Sequence, residues 1–238
     1  MTITFHRKKN CNLAVLIDPD KTGLLQLPAL VLLAEKVGIQ FFFVGSSLLI
    51  ENNFVATIEW LKLNSNIPVV IFPGSHLQLH PKADALLFLS LLSGRNAEYL
   101  IGQQVAAATQ IKAAKISTIP TGYLLIDGGR SSTTSYITQT LPIPSDRVDV
   151  AVATAVAGEL LGMQTIYLEA GSGAVQPVSA EIITAVKKNC SISVIVGGGI
   201  RSYEQAKKAA EAGADTIVVG NILETHPELL ERISSGLR

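Results

Sequence analysis

At 238 residues, with 48% apolar and only 16% charged side chains, the chain is too oily to be disordered and long enough for one domain of its own core. Nineteen Lys and Arg balance 19 Asp and Glu, so no net-charge footprint for nucleic acid exists, although a local anion site is not excluded. The two cysteines, Cys11 and Cys190, form neither a CxxC pair nor a zinc spacing, and they read as reduced core thiols of a cytoplasmic protein.

The N-terminus places Arg7, Lys8 and Lys9 before an apolar run, a pattern that mimics the start of a signal peptide. The run stops at Asp18 without a small-residue cleavage site, so Leu13–Asp18 is read as a first buried strand. Further short apolar runs follow at Gln40–Gly45, Val69–Phe72, Ala85–Leu89, Gly122–Asp127, Thr165–Glu169, Ser193–Val196 and Thr216–Val219. Each is apolar at consecutive positions, as a strand must be when helices cover both faces of a parallel sheet. Helical spacing fills the gaps at Leu24–Val37, Ala97–Ala114 and Val178–Lys188. Alternating β and α units in this number predict an α/β chain folded as a single (β/α)8 TIM barrel over residues 1–238, with an open doubly wound sheet as the rival. Between Val69 and Ala85 the pair Pro73-Gly74 and Pro81 leave little room, so the third helix is expected to be replaced by a loop or strand. The stretch Asp127–Ser135, rich in Gly, Ser and Thr, reads as an exposed loop. No apolar run reaches the length of a membrane helix, and no integral membrane segment is expected. The oiliness must then serve a large core, a subunit interface or a groove for an apolar ligand.

Chemistry gathers at the strand ends. Glycine-rich segments close the sixth, seventh and eighth strands: Tyr167-Leu168-Glu169-Ala170-Gly171-Ser172-Gly173, Gly197-Gly198-Gly199, and Gly220-Asn221. Glycine lets backbone N–H groups approach an anion, and the loops after strands seven and eight of a barrel are a recurring phosphate site. Asp18-Pro19-Asp20-Lys21 ends the first strand, where carboxylates suit Mg²⁺, with Ser47 next door; helix capping or a held turn is an equal reading of Asp18 and Asp20 from spacing alone. Glu169 sits among apolar residues, either as a general base or in an ion pair with Arg201 or Lys21. His76 and His80 lie at i,i+4 but lack a third ligand, and Pro81 argues for a loop rather than a metal-binding helix. Ser90–Asn96 is compatible with a ligand loop; Tyr99 and Tyr123 either line an apolar channel or pack; Phe41–Phe43 and Trp60 read as core.

Taken together, Leu16–Lys21, Val44–Ser47, Leu89–Asn96, Pro120–Gly129, Ala151–Glu159, Tyr167–Ala174, Gly197–Arg201 and Val218–Asn221 resemble the geranylgeranylglyceryl phosphate synthases. The resemblance runs from about residue 11 to about residue 225 and is closest to the second of the family's two groups, which is related to the heptaprenylglyceryl phosphate synthases. It implies a barrel without its third helix. It also implies Mg²⁺-dependent transfer of a prenyl group from geranylgeranyl diphosphate to the sn-3 hydroxyl of sn-glycerol-1-phosphate, an early step in ether-lipid synthesis. Carried over by motif, Asp18 and Ser47 would hold Mg²⁺ and diphosphate. Tyr167–Gly173, Gly198, Gly199, Gly220 and Asn221 would hold glycerol-1-phosphate, with Glu169 as the catalytic base. The prenyl tail is expected in an apolar groove on the strand-two to strand-four side, near Ser90–Leu100. Some bacterial members carry a phosphate-contacting lysine two residues before the metal-site Asp; Leu16 stands there in this chain, which argues against the heptaprenyl branch. The resemblance implies a homo-oligomer, a dimer or a hexamer. The competing reading is a phosphate-binding barrel isomerase or aldolase acting on a small sugar phosphate.

Overall fold

The computed structural model describes residues 3–7, 9–51 and 53–237. Lys8, part of the basic N-terminal run, lies outside the described residues. Eight strands, β1 (Asn12–Ile17), β2 (Phe41–Val44), β3 (Val69–Ile71), β4 (Ala85–Leu91), β5 (Thr118–Leu125), β6 (Thr165–Glu169), β7 (Ser193–Gly197) and β8 (Thr216–Val219), close into a barrel in chain order. Every pairing is parallel, including the seam that joins β1 to β8. The open-sheet rival is thereby excluded. Helices α1 (Leu27–Val37), α2 (Phe54–Asn64), α3 (Gln103–Ala113), α5 (Val148–Leu160), α6 (Ala180–Asn189) and α7 (Tyr203–Glu211) wrap the outside, with α8 (Asn221–Thr225) and α9 (Leu229–Ser235) after the last strand. No helix lies between β3 and β4; residues 72–84 form a loop, as the prolines there predict.

Two core layers follow from the alternation of side chains along the strands. Val15, Ile17, Phe42, Val44, Leu168 and Val196 face outward into the helices, whereas Ala14, Phe41, Phe43, Leu87, Tyr123, Tyr167 and Ile195 fill the barrel. Phe5 closes the N-terminal end of the barrel, with its ring edge-on to Phe41 at 5.1 Å and to Phe43 at 5.6 Å. Its carbonyl accepts hydrogen bonds from Thr216 Oγ1 and Asn12 Nδ2, both at 3.0 Å. Trp60 is only partly buried against the outer layer. Cys11 and Cys190 are both buried free thiols, and burial pushes them up to about 12 and about 11.

Two elements differ from the sequence-based expectation. β5 runs from Thr118 to Leu125 rather than from Gly122 to Asp127; Ile126 instead bridges to Ile143 outside the barrel ladder. The expected loop at 127–135 contains the start of a short helix, α4 (Thr133–Thr138). Ser132 and Ser135 cap it reciprocally, each hydroxyl accepting the other's backbone N–H at 3.1 Å. Among the described residues no helix is long and apolar enough to cross a membrane.

Candidate active site

A cavity of about 520 Å³ opens among the loops at the C-terminal ends of the strands. It has two parts. The polar part lies over the barrel mouth between Asp18, Glu169, Gly198 and Asn221. The apolar part runs past Phe72 and Leu79 to the outer face of β4 and the inner face of α3, bounded by Leu86, Phe88, Ala107 and Ile111. That outer face is available because no third helix covers it.

Glu169 ends β6 and points into the mouth; its residue is 7% exposed. Its Oε1 accepts the Gly171 N–H at 2.7 Å. Burial pushes the carboxyl up to about 7, opposed by that N–H and by the neighbouring Tyr167 phenol. The phenol is near enough to favour the charge but is not aligned with it: Tyr167 Oη is buried without a hydrogen-bond partner of proper geometry. The structural ion pair weighed for Glu169 does not form. Arg201 donates to the Ala174 carbonyl at 2.5 Å, and Lys21 turns to other carboxylates. Beside Glu169 an aromatic wall is built from three elements. Tyr167 stacks on Phe72 with centroids 5.0 Å apart, and Tyr123 tilts against both. Burial and the nearby Glu169 charge keep both phenols well above their ordinary range.

The glycine loops converge on this carboxylate. Gly198 and Gly199 hold φ of +79° and +72°, and a Cβ on Gly198 would collide with Glu169 Oε1 and stand 2.7 Å from Gly171 N. The Gly171–Gly173 loop is tied to the start of α8 by Asn221 Nδ2, which donates to Ser172 Oγ at 2.8 Å. Glu169, Tyr167, Ser172, Gly173, Gly198, Gly199, Gly220 and Asn221 all line the cavity. Leu168 and Ala170 turn their side chains into the outer core, which leaves them only backbone groups to offer, and the Gly171 N–H is already committed to Glu169.

Asp18 lies across the mouth. Its Oδ2 accepts from Ser46 Oγ at 3.0 Å and meets Lys21 Nζ at 3.1 Å, while Oδ1 accepts the Asp20 N–H at 3.1 Å. Lys21 also faces Glu224 at 3.9 Å; burial raises that carboxyl, the lysine lowers it and Asp18 raises it. Asp18 also holds its own turn, its main-chain carbonyl accepting the Lys21 and Thr22 N–H groups at 3.1 and 2.8 Å, whereas Asp20 braces the loop after β2. Its carboxylate accepts the Ile50 and Glu51 N–H groups at 2.6 and 3.3 Å. Ser47 lines the cavity, but its hydroxyl meets Thr134 Oγ1 at 2.9 Å, so the serine that touches Asp18 is Ser46. Among the described residues no group of three or more His, Cys, Asp or Glu side chains could hold a metal ion. One carboxylate with neighbouring hydroxyls is nonetheless an all-oxygen set of the kind Mg²⁺ uses when substrate phosphates complete its shell.

Other expected residues separate. His76 is bound to Gln103, its Nδ1 at 2.9 Å, whereas His80 faces Glu59 at 3.9 Å, so the two imidazoles make no common site. Within Ser90–Asn96, Ser90, Ser93 and Asn96 are spent on backbone groups. The apolar groove passes Tyr99 as expected but continues beyond Leu100 to Gln103, Ala107 and Ile111. Sequence reasoning missed Ser46, Thr134, Glu224 and Phe72. Position after Gly45 was the available signal for Ser46: that glycine has φ of +156°, and any Cβ on it would overlap the Phe72 carbonyl.

Residues 6–236 match the model of the PcrB family. A geranylgeranylglyceryl phosphate synthase from Spirosoma linguale is 47% identical over 225 residues, 94% of this chain and 90% of the relative. One from Thermococcus kodakarensis is 41% identical over 94% of this chain and 91% of the relative. The solved structure of (S)-3-O-geranylgeranylglyceryl phosphate synthase from Thermoplasma acidophilum, in complex with sn-glycerol-1-phosphate, superposes with a TM-score of 0.91 at 38% identity. It covers 96% of this chain and 94% of its own. An N-acetylmannosamine-6-phosphate 2-epimerase from Clostridium perfringens, at 14% identity and a TM-score of 0.56, shares the barrel alone. With a family match over nearly its whole length and relatives above 40% identity, the chain belongs to the PcrB family.

Proposed function

We propose that this protein is a prenyltransferase that joins geranylgeranyl diphosphate to the sn-3 hydroxyl of sn-glycerol-1-phosphate, releasing diphosphate and forming an ether. The observation that carries this reading is the buried Glu169 carboxylate, set where glycine loops on one side meet an apolar groove on the other. A sugar-phosphate isomerase would need the glycine loops but has no use for a groove that leaves the barrel along β4 and α3.

In this reading the backbone N–H groups around Gly198, Gly199 and Gly220 take the phosphate of glycerol-1-phosphate. The glycerol hydroxyls then reach Glu169. The bond between C1 of the allylic chain and the diphosphate oxygen breaks, and diphosphate leaves with that electron pair. The sn-3 oxygen bonds to C1 and gives its proton to Glu169 Oε2, the carboxylate oxygen not bound to Gly171. A group titrating at about 7 is matched to that transfer near neutral pH. C1 carries positive charge as the diphosphate departs, and the Phe72, Tyr123 and Tyr167 rings give it an electron-rich wall. Asp18, with Ser47 nearby, would hold Mg²⁺, which when bound neutralises the diphosphate charge and makes it a better leaving group.

The test is a product assay with Mg²⁺, radiolabelled sn-glycerol-1-phosphate and prenyl diphosphates of increasing length. Label entering the organic phase with the C20 donor, and not with labelled sn-glycerol-3-phosphate, is the expected result. A preference for a longer donor would keep the chemistry and change the product. No transfer from any donor would overturn the reading.

A further inference from the structure

We propose that the mouth face of the barrel seats on the surface of a phospholipid bilayer; this inference rests on the reading above, in which one substrate and the product carry a long apolar chain. Large apolar side chains stand in water on five loops that leave strands at their C-terminal ends. They include Leu25 between β1 and α1 (97% exposed), Ile50 between β2 and α2 (85%), Leu77 between β3 and β4 (76%) and Leu141 before α5 (89%). Tyr136 on α4 and Val175 after β6 extend the ring. Scattered single apolar residues on a surface are ordinary, but a ring around one opening is not. At the opposite end of the barrel, among the described residues, only Leu63, Leu160 and Leu161 stand out in this way, all at helix C-termini.

The ring is built rather than incidental. The Asp20 carboxylate clamps the N–H groups of Ile50 and Glu51, which fixes the loop with its isoleucine outward. Leu48 and Ile50 also line the cavity, so the exposed apolar rim is continuous with the apolar groove. That continuity selects the occupant. A folded protein seated on these loops would cover the opening through which substrate enters and product leaves. A fluid lipid surface covers the same side chains and supplies the medium in which a long prenyl chain is already dissolved. The rim loops carry both signs of charge, Lys21 and Arg130 against Asp20 and Asp127, so insertion of apolar side chains rather than attraction to anionic lipid holds the protein there.

Vesicle sedimentation of the full chain tests this, with phosphatidylcholine alone and with added phosphatidylglycerol. The variant Leu25→Ser/Leu77→Ser/Leu141→Ser changes three rim residues that do not line the cavity, and Leu32→Ser/Leu63→Ser, on α1 and α2, is the control. The wild type and the control are expected to sediment with both kinds of vesicle. The triple variant should partition about tenfold less or worse, since each leucine removed from the interface forfeits most of its transfer free energy. Prenyl transfer from a short, water-soluble donor should be equal in all three. A wild type that stays in the supernatant would overturn the proposal, as would equal losses in the triple variant and the control. So would a triple variant that only dissociates an oligomer in sedimentation velocity while binding vesicles normally, which would assign the rim to a second copy. Vesicle binding is read without turnover, so its failure is distinct from a failure of the transfer assay.

Discussion

Replacing Glu169 by glutamine should slow the enzyme and stabilise it, and the stabilisation should depend on pH. Burial holds the carboxyl at about 7 against an ordinary 4.5. The folded state therefore binds a proton more tightly than the unfolded chain. Below about pH 4.5 both states are protonated and the carboxyl costs nothing. As pH rises towards 7 the unfolded chain ionises first, and stability is lost across that window; above about 7 the loss is complete. At about 1.4 kcal/mol per pH unit, the full loss comes to ~3 kcal/mol. Glutamine avoids it. Its amide oxygen still accepts the Gly171 N–H, and its NH₂ can donate to Tyr167 Oη, which lacks a partner in the wild type. Glu169→Gln should thus melt roughly 5–10 °C above the wild type at pH 8, with the gap closing by pH 4.5. Calorimetric melts of both proteins across that range are the assay. The same variant should lose about 10²–10⁴-fold in turnover through loss of the base. Wild-type activity should rise with pH through about 7. A melting difference that is the same at pH 4.5 and pH 8 would refute the burial argument, whatever happened to activity.

Other expectations follow from single contacts. Gly198→Ala should cost about 3 kcal/mol or more in urea unfolding, because φ of +79° and the collision with Glu169 act together, and calorimetric binding of glycerol-1-phosphate should vanish. Asp215→Asn should destabilise by about 3 kcal/mol. Asp215 is buried, ties Lys187 Nζ at 2.5 Å and accepts the Val194 N–H at 2.8 Å, so the charge of Lys187 would be left without its partner. Cys11 and Cys190 should resist a thiol reagent at pH 8 in the native protein and react stoichiometrically on unfolding; fast labelling of either would contradict their burial and raised thiols.

Period and composition made the barrel legible, since β2, β6 and β8 carry three or more consecutive apolar residues and are buried at every position, as strands covered on both faces are. The start of β5 was hidden because Pro120, which cannot donate to a ladder, interrupts the strand signal of Thr118 and Ile119; β4 pairs with them and holds them in line. Helix α4 was hidden because Thr and Ser are weak helix formers, and its existence depends on the reciprocal Ser132–Ser135 cap. In the site, Glu169 and the glycines were legible from type and place. The choice between Ser46 and Ser47 was not. It is set by the turn at Gly45, whose path depends on the carbonyl of Phe72, 27 residues further on at the start of the loop after β3. The far end of the groove was equally out of reach. Ala107 and Ile111 are ordinary helix residues until a missing helix on the neighbouring unit exposes the wall they face.

The plug at the closed end of the barrel sets an order of events during synthesis. Phe5 precedes every strand, yet its carbonyl is held by Thr216, 211 residues later, and Arg7 donates to the Ala210 carbonyl. Strand β1 likewise waits for β8 to complete its ladder. On the ribosome, seven strands can emerge and pair in sequence while the first one keeps an unpaired edge and the phenylalanine has nowhere to go. The nascent chain is thus an open sheet with a sticky margin until β8 is translated, the stage at which a chaperone would be needed and a premature stop would be most damaging.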